Sequence, residues 1–202
     1  TKRLPEVDGI LQTVEAPPST LSDAVWEQYF LPSHLLGCDV YFAPTGIIPV
    51  ARPCKAVPVL HDLGFEDHPE HYEPGLRAHL ARWVGNACRS ADRVIAVSHF
   101  TAGRIVERYR IPLDRIAVVH HGRPERAGAR QRGDYVLCVS SFEPNKNLGT
   151  LVEAFQRVDW PGKLILAGRA GRDLEKVRAL ARGSSRIELR VDVADVAPLY
   201  AG

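Results

Sequence analysis

Along this chain, short runs of Val, Ile and Leu alternate with longer stretches whose apolar residues recur every three or four positions. The short runs predict strands at Ile10–Val14, Asp39–Ala43, Ala56–His61, Arg93–Ser98, Ile116–His120, Tyr135–Ser140, Lys163–Gly168 and Arg186–Val191. They alternate poorly between apolar and polar, the pattern of strands covered on both faces. The longer stretches predict helices at Thr20–Leu36, Pro74–Ser90, Phe100–Arg110, Leu148–Val158, Arg172–Arg182 and Asp195–Tyr200. Ser98 and Asn147 are suitable N-caps for the third and fourth of these. Strand and helix in alternation predict an α/β protein with parallel sheets and helices on both faces.

One stretch breaks the rhythm. Residues 123–134 are polar, rich in Gly and Arg and without an apolar period, so they predict a linker. The alternation then starts again, which divides the chain into Rossmann-like domains at 1–122 and 135–202. The segments "RVIAVSHFTAGRIVERY" and "YVLCVSSFEPNKNLGTLVEAF" both run strand, serine, turn, amphipathic helix, an echo that suits two such domains.

Composition narrows the function classes. With 202 residues, 45% hydrophobic and 25% charged, the chain can bury one substantial core or two modest ones. A net charge of +2 spread along the chain argues against nucleic acid as a partner. No apolar stretch is long enough to span a bilayer, and no charged-then-apolar signal segment opens the sequence. The cysteines Cys38, Cys54, Cys88 and Cys138 form no C-x-x-C pair and suit small core residues in a reducing cytosol. Only five of the 26 basic residues are lysine, so a lysine in a loop is a rare choice here.

In open parallel sheets, ligands bind beyond the carboxyl ends of the strands. The predicted ends carry His61-Asp62, Ser98-His99, His120-His121-Gly122, Ser140 through Asn147, and "GRAGR" from Gly168. Polar residues at five such ends suit a polar ligand, and also suit loops that are simply solvated. Lys146 is the sharpest of these residues. A helix start carries unpaired N–H groups and partial positive charge, so a lysine there is unfavourable unless an anion lies between them. A diphosphate would accept the backbone N–H groups while Lys146 neutralises it, with the Ser140 and Ser141 hydroxyls as further donors. Asn147 as a plain cap and Lys146 in water would serve the helix without any ligand. "GRAGR" fits a tight turn as well as it fits a phosphate contact.

A divalent metal is not expected. There is no D-x-D pair, no G-x-x-x-x-G-K-[ST] and no G-x-G-x-x-G. "HDLGFEDHPEHYE" holds three histidines without H-E-x-x-H spacing, and Pro69 argues against presenting His68 and His71 on one regular helix. His61 differs from them because it ends a buried strand, where its ring could reach a ligand or settle on a backbone partner.

The ordered motifs "VLHDLGFEDHPEHY", "ADRVIAVSHFTAGRIVERYRIPLDRIAVVHHG", "YVLCVSSFEPNKNLGTLVEAF" and "APLYAG" resemble the retaining family-4, group 1 glycosyltransferases, which have two facing Rossmann-like domains, the GT-B fold. "VWEQYFLP" fits the mannosyltransferase-like branch, whose strand–loop–helix reads E-P-x-K-N. The resemblance implies an acceptor-side first domain and a second domain that binds a nucleotide-activated sugar. It implies that Lys146 holds the donor diphosphate and that His61 lies beside the transferred sugar. Ser140, Ser141, Asn145, Asn147, Gly168 and Val193 would complete the donor site, and Asp62, Ser98 and His121 would line the acceptor or sugar side. No cofactor or metal is implied, because the nucleotide sugar is a substrate. The partners would be a nucleotide-sugar donor and a glycan or lipid-linked acceptor. The expected location is the cytoplasm, with peripheral contact at the inner face of the membrane left open.

Several positions depart from the family pattern. Ser141 stands where many relatives carry arginine, Asn145 replaces a basic residue, and His121 replaces asparagine. The glycine expected before the base-binding turn is absent from "ELRVDVADVAPLY". The family's glycine-rich first loop would precede Thr1, and its E-x(7)-E pair would follow Gly202, so both domains are expected to be incomplete. The expected function is retaining, metal-independent transfer of a hexose, GDP-mannose first among donors, to a cell-surface glycan or glycoconjugate. A nucleotide-sugar epimerase of the same fold and a non-catalytic nucleotide-sugar-binding module are the alternatives.

Overall fold

The computed structural model describes residues 25–122 and 133–201. The predicted strand Ile10–Val14 and nearly all of the predicted linker lie outside the described residues. The chain divides into two compact units, Thr1–His121 and Gly122–Gly202.

In the first unit, β1 (Val40–Ala43), β2 (Lys55–Leu60), β3 (Val94–Ala96) and β4 (Ile116–Val118) form a parallel sheet in the order β1-β2-β3-β4. Pro58, which has no N–H, stands where the β1 ladder ends (Ala43 opposite Pro58) and the β3 ladder begins (Val59 opposite Ile95). A proline inside a strand is tolerated where no ladder bond is due. The helical segments are a π-turn at Trp26–Phe30, α1 (Leu31–His34), α2 (Gly64–Asp67), α3 (Pro74–Ser90) and α4 (His99–Tyr109). Proline opens α3, and its buried residues Val84, Gly85, Ala87 and Cys88 are mostly small, letting the helix lie close on the sheet. Burial pushes the Cys88 thiol up to about 12, so this core cysteine stays protonated. All four cysteines are free.

The expected helix Thr20–Leu36 is not regular in its described part. Leu31 N–H reaches back to Trp26 O, five residues away, and Trp26–Phe30 is a π-turn. Pro32 accounts for this: it has no N–H for the carbonyl four residues back, and its ring crowds that turn. Gln28, on the widened turn, donates to Ile48 O (3.2 Å) and accepts from Val50 N (3.0 Å), so its side chain holds the loop after β1.

In the second unit, β5 (Tyr135–Val139), β6 (Lys163–Gly168) and β7 (Ile187–Val191) form a parallel sheet in the order β5-β6-β7. The helices are α5 (Leu148–Gln156), α6 (Leu174–Ala181) and the short α7 (Ala197–Ala201). Leu148, Val152 and Phe155 recur at helical spacing on α5 and pack with Phe142, Leu164, Leu166 and Val177. The central strand β6 is buried from Leu164 to Ala167, which is why its sequence is almost purely aliphatic. Most other strands end a residue or more before the sequence expectation, because ladder pairing stops where the chain turns toward the carboxyl-edge loops.

Ion pairs tie α4 to α2. Arg104 grips Asp67, with Nε donating to Oδ2 at 3.2 Å, and Arg108 meets Glu66 at 2.6 Å. The Arg104 hydrogen bond holds the Asp67 carboxyl below its ordinary value of 3.8. Its stabilisation is therefore present in full above that value and is lost as pH falls through the lower folded one. Urea unfolding from pH 6 to pH 3 should show Asp67→Asn less stable at pH 6 by about 0.2–1 kcal/mol, with the difference shrinking toward the acid end.

Candidate functional site

Two edges carry the sequence-predicted residues, one in each unit. In the second unit the edge is built from loops 140–147, 169–173 and 192–196. Phe142, fully buried, anchors the first loop. Its N–H donates to Arg169 O (3.0 Å), and its carbonyl accepts from Asp173 N (2.9 Å). Arg172 Nε adds a bond to Glu143 Oε2 at 3.2 Å. Asp192, in the left-handed region at φ 54°, closes the third loop: its N–H donates to Gly168 O (2.8 Å), and its Oδ1 accepts from Ala170 N (2.9 Å). Val193 follows it, half-buried.

Gly168 is confined by close approach. A Cβ there would lie 2.0 Å from Ser140 O, so only glycine lets the first two loops meet. Ser140 donates its hydroxyl to Ser141 O at 3.1 Å, and its N–H to Ala167 O at 2.8 Å.

The loop then makes a 3₁₀ turn, Pro144–Lys146, and enters α5 through Asn147. The expectation that Asn147 caps α5 with its side chain is corrected here. Asn147 is left-handed (φ 48°, ψ 39°) and makes no side-chain cap bond; its Oδ1 accepts from the Thr150 hydroxyl at 2.8 Å. A cap residue normally has extended backbone, which aims its side chain at the next amides, and the left-handed turn removes that aim. The opening amides of α5 are thus left without a side-chain acceptor. Asn145, Lys146 and Asn147 are all exposed beside them. Among the described residues, Lys146 forms no ion pair. An uncapped helix start with a cation ahead of it is suited to an anion.

The equivalent turn in the first unit is closed. Ser98 Oγ accepts from Thr101 N at 3.0 Å and meets Thr101 Oγ1 at 2.9 Å, so it is a cap. The Thr101 hydroxyl also lies 3.3 Å from His61 O. His61 is exposed, one residue past the ladder of β2, rather than on a buried strand end. Its Nε2 lies 3.0 Å from Pro44 O, and since a carbonyl only accepts, Nε2 carries the proton. The His121 ring stacks on it, centroids 5.3 Å apart and planes at 16°. Asp62 Oδ1 accepts from Gly64 N at 2.9 Å. A cavity of about 210 Å³ lies here, lined by Thr45, Gly46, His61, Asp62, Phe65 and Tyr72 among others. Thr45, Gly46 and Tyr72 were not legible as site residues, because nothing local to them differs from an ordinary loop.

The structure also alters the view of His68 and His71. They do not share a regular helix, since α2 ends at Asp67 and a 3₁₀ turn, Pro69–His71, follows. Their rings nevertheless come together, centroids 5.4 Å apart.

Replacing Gly168 by alanine should force the two loops apart, with a stability loss of about 1–3 kcal/mol in urea unfolding and shifted amide resonances at Ser140–Phe142. An unshifted loop would show that the close approach is unimportant.

Residues 31–126 match Glycosyltransferase Family 4. The O-antigen chain mannosyltransferase B of Escherichia coli is 25% identical over 152 residues, covering 65% of this chain and 39% of that protein. Anabaena HepE, solved in complex with UDP, superposes with a TM-score of 0.60 at 18% identity, over 84% of this chain and 52% of its own. A glycosyltransferase from Rickettsia africae gives a TM-score of 0.56 at 14% identity, over 97% and 59%. The fold is thus that of the GT-B glycosyltransferases, and the chain spans between 39% and 59% of the length of these proteins. Among the described residues, no helix is long and apolar enough to cross a membrane.

Proposed function

We propose that this chain, which carries a Glycosyltransferase Family 4 domain over residues 31–126, belongs to an enzyme that transfers a hexose with retention from a nucleoside-diphosphate sugar to a cell-surface glycan or glycoconjugate. The observation that carries the reading is the open start of α5: amides without a side-chain cap, and exposed Lys146 one residue ahead of the left-handed Asn147. Charge builds on the leaving diphosphate as the glycosidic bond breaks. Fixed N–H groups and an amine there stabilise the transition state more than the ground state. They take the place a divalent metal would otherwise fill, so the reaction proceeds without one.

Ser140, Ser141 and Asn145 line the approach to that anion, and Val193 stands toward the base. Gly168 serves by letting the loop carrying Ser140 close. On the acceptor or sugar side, His61, Asp62 and His121 act from the edge of the first unit, and Ser98 holds α4 in place. GDP-mannose is the first donor to test, supported by the mannosyltransferase name of the Escherichia coli relative. UDP-sugars are the second, supported by the UDP bound to HepE. A cytoplasmic site, with contact at the inner membrane face, suits a lipid-linked acceptor.

Thermal shift of the full-length protein with GDP, UDP and their sugars tests the reading. A donor at about a hundred times its Kd should add about 2.7 kcal/mol. Lys146→Ala should weaken that binding by about tenfold to a hundredfold, the worth of a charge-assisted bond, while the unliganded melting point stays put. Equal nucleotide affinity in the variant would remove the site. His61→Ala should lower transfer by about 10²-fold with donor affinity kept; equal turnover would end its role. Transfer rates should be the same with Mg²⁺ or Mn²⁺ added or omitted.

A further inference from the structure

The segment His68-Pro69-Glu70-His71 is used by nothing in the reading above, and it gathers three metal-ligating side chains within one turn. One ligand atom from each of His68, Glu70 and His71 lies within 4.8 Å of the other two. We propose that these three residues bind a borderline divalent cation of the Zn²⁺ class, and this inference does not rest on the glycosyl-transfer reading.

The backbone produces the convergence. Pro69 opens a 3₁₀ turn, and at three residues per turn the side chains at positions i and i+3 eclipse. His68 and His71 are such a pair, with ring planes at 23°. The turn is pinned by His68 N to Gly64 O (2.8 Å), His71 N to His68 O (3.0 Å) and Tyr72 N to Pro69 O (3.2 Å). Glu70 reaches between the rings, its Oε1 3.4 Å from His68 Nδ1 and 3.7 Å from His71 Nε2. Ligands about 2.0–2.2 Å from a tetrahedral Zn²⁺ stand roughly 3.3–3.6 Å apart. Two edges of such a tetrahedron are therefore close to formed, and the third pair of ligand atoms lies within 4.8 Å.

The chemistry of the set selects the ion. Two imidazoles and one carboxylate favour Zn²⁺, Cu²⁺ or Ni²⁺ over Mg²⁺ or Ca²⁺, which prefer all-oxygen shells. Three protein ligands leave a position open to water. Asp67, the adjacent carboxylate, is held by Arg104 and stays outside the set. All three ligand side chains are at least partly exposed, at 64%, 62% and 32% for His68, Glu70 and His71, so a cation can reach them from solvent.

Isothermal titration of Zn²⁺ into the full-length protein, in a buffer that does not bind metals, tests this. The expected result is one equivalent bound by the native chain and none at that affinity by the His68→Ala/His71→Ala double variant. Glu70→Gln, the milder change, should weaken binding at least about tenfold, the loss typical even of outer-shell partners. Substitution with Co²⁺ should give a spectrum without a thiolate charge-transfer band, which separates this site from the cysteines. Unchanged affinity in Glu70→Gln, unchanged uptake in the double variant, or a thiolate band for the bound ion would each overturn the proposal.

Discussion

The second unit turns on a pair of backbone bonds that hold loop 140–147 against loop 169–173. Phe142 donates to Arg169 O and accepts from Asp173 N, with its ring buried beneath. These bonds fix where the loop stops and α5 starts. A residue locked on both its polar groups leaves the next few residues little freedom, and the chain enters α5 through a 3₁₀ turn and a left-handed Asn147. The amides of the first turn are left without a side-chain acceptor as a direct consequence. Close approach at Gly168 and Gly171, where an added Cβ would strike Ser140 O or Phe142 O, shows how tightly this lock is drawn.

The same strand–serine–turn–helix pattern appears in both units with opposite outcomes. In the first, Ser98 is extended and satisfies Thr101 N, and the Thr101 hydroxyl also bonds the backbone at His61. That corner is closed by its own side chains. In the second, the residue before the helix is left-handed and its side chain turns to Thr150. Sequence similarity between the two turns therefore conceals a difference in chemistry: one helix start is capped by its own serine, and the other has no side-chain cap.

Much of the fold could be read from the sequence wherever punctuation was strong. Helix α3 begins at Pro74 and ends at Ser90 as expected, because proline presets its first turn and an apolar stripe runs to its end. Strand β6 runs from Lys163 to Gly168 as expected, because its buried aliphatic run from Leu164 to Ala167 is bounded by an exposed lysine and a glycine. The π-turn was not legible, since the periodicity before Pro32 is that of an ordinary helix and only the crowding of Pro32 reveals the widening. Neither was the left-handed Asn147, because asparagine suits both an N-cap and a positive φ. For the site, parallel-sheet geometry put the chosen residues at carboxyl edges. Their mutual contacts, such as the stacking of His61 on His121 or the bond from His61 to Pro44, join positions far apart in sequence and have no local signature. Pro69 did keep His68 and His71 off one regular helix as expected, but the pairing of their rings across the 3₁₀ turn was not read from the sequence.

The account rests on anion binding by the first turn of α5, and amide resonances report that directly. In a ¹H–¹⁵N titration of the full-length protein with GDP and UDP, the amides of Leu148, Gly149 and Thr150 should shift progressively and saturably for the preferred nucleotide. The same shifts should weaken when Lys146 is replaced by alanine. Saturable nucleotide binding that leaves these three amides unmoved would contradict the account.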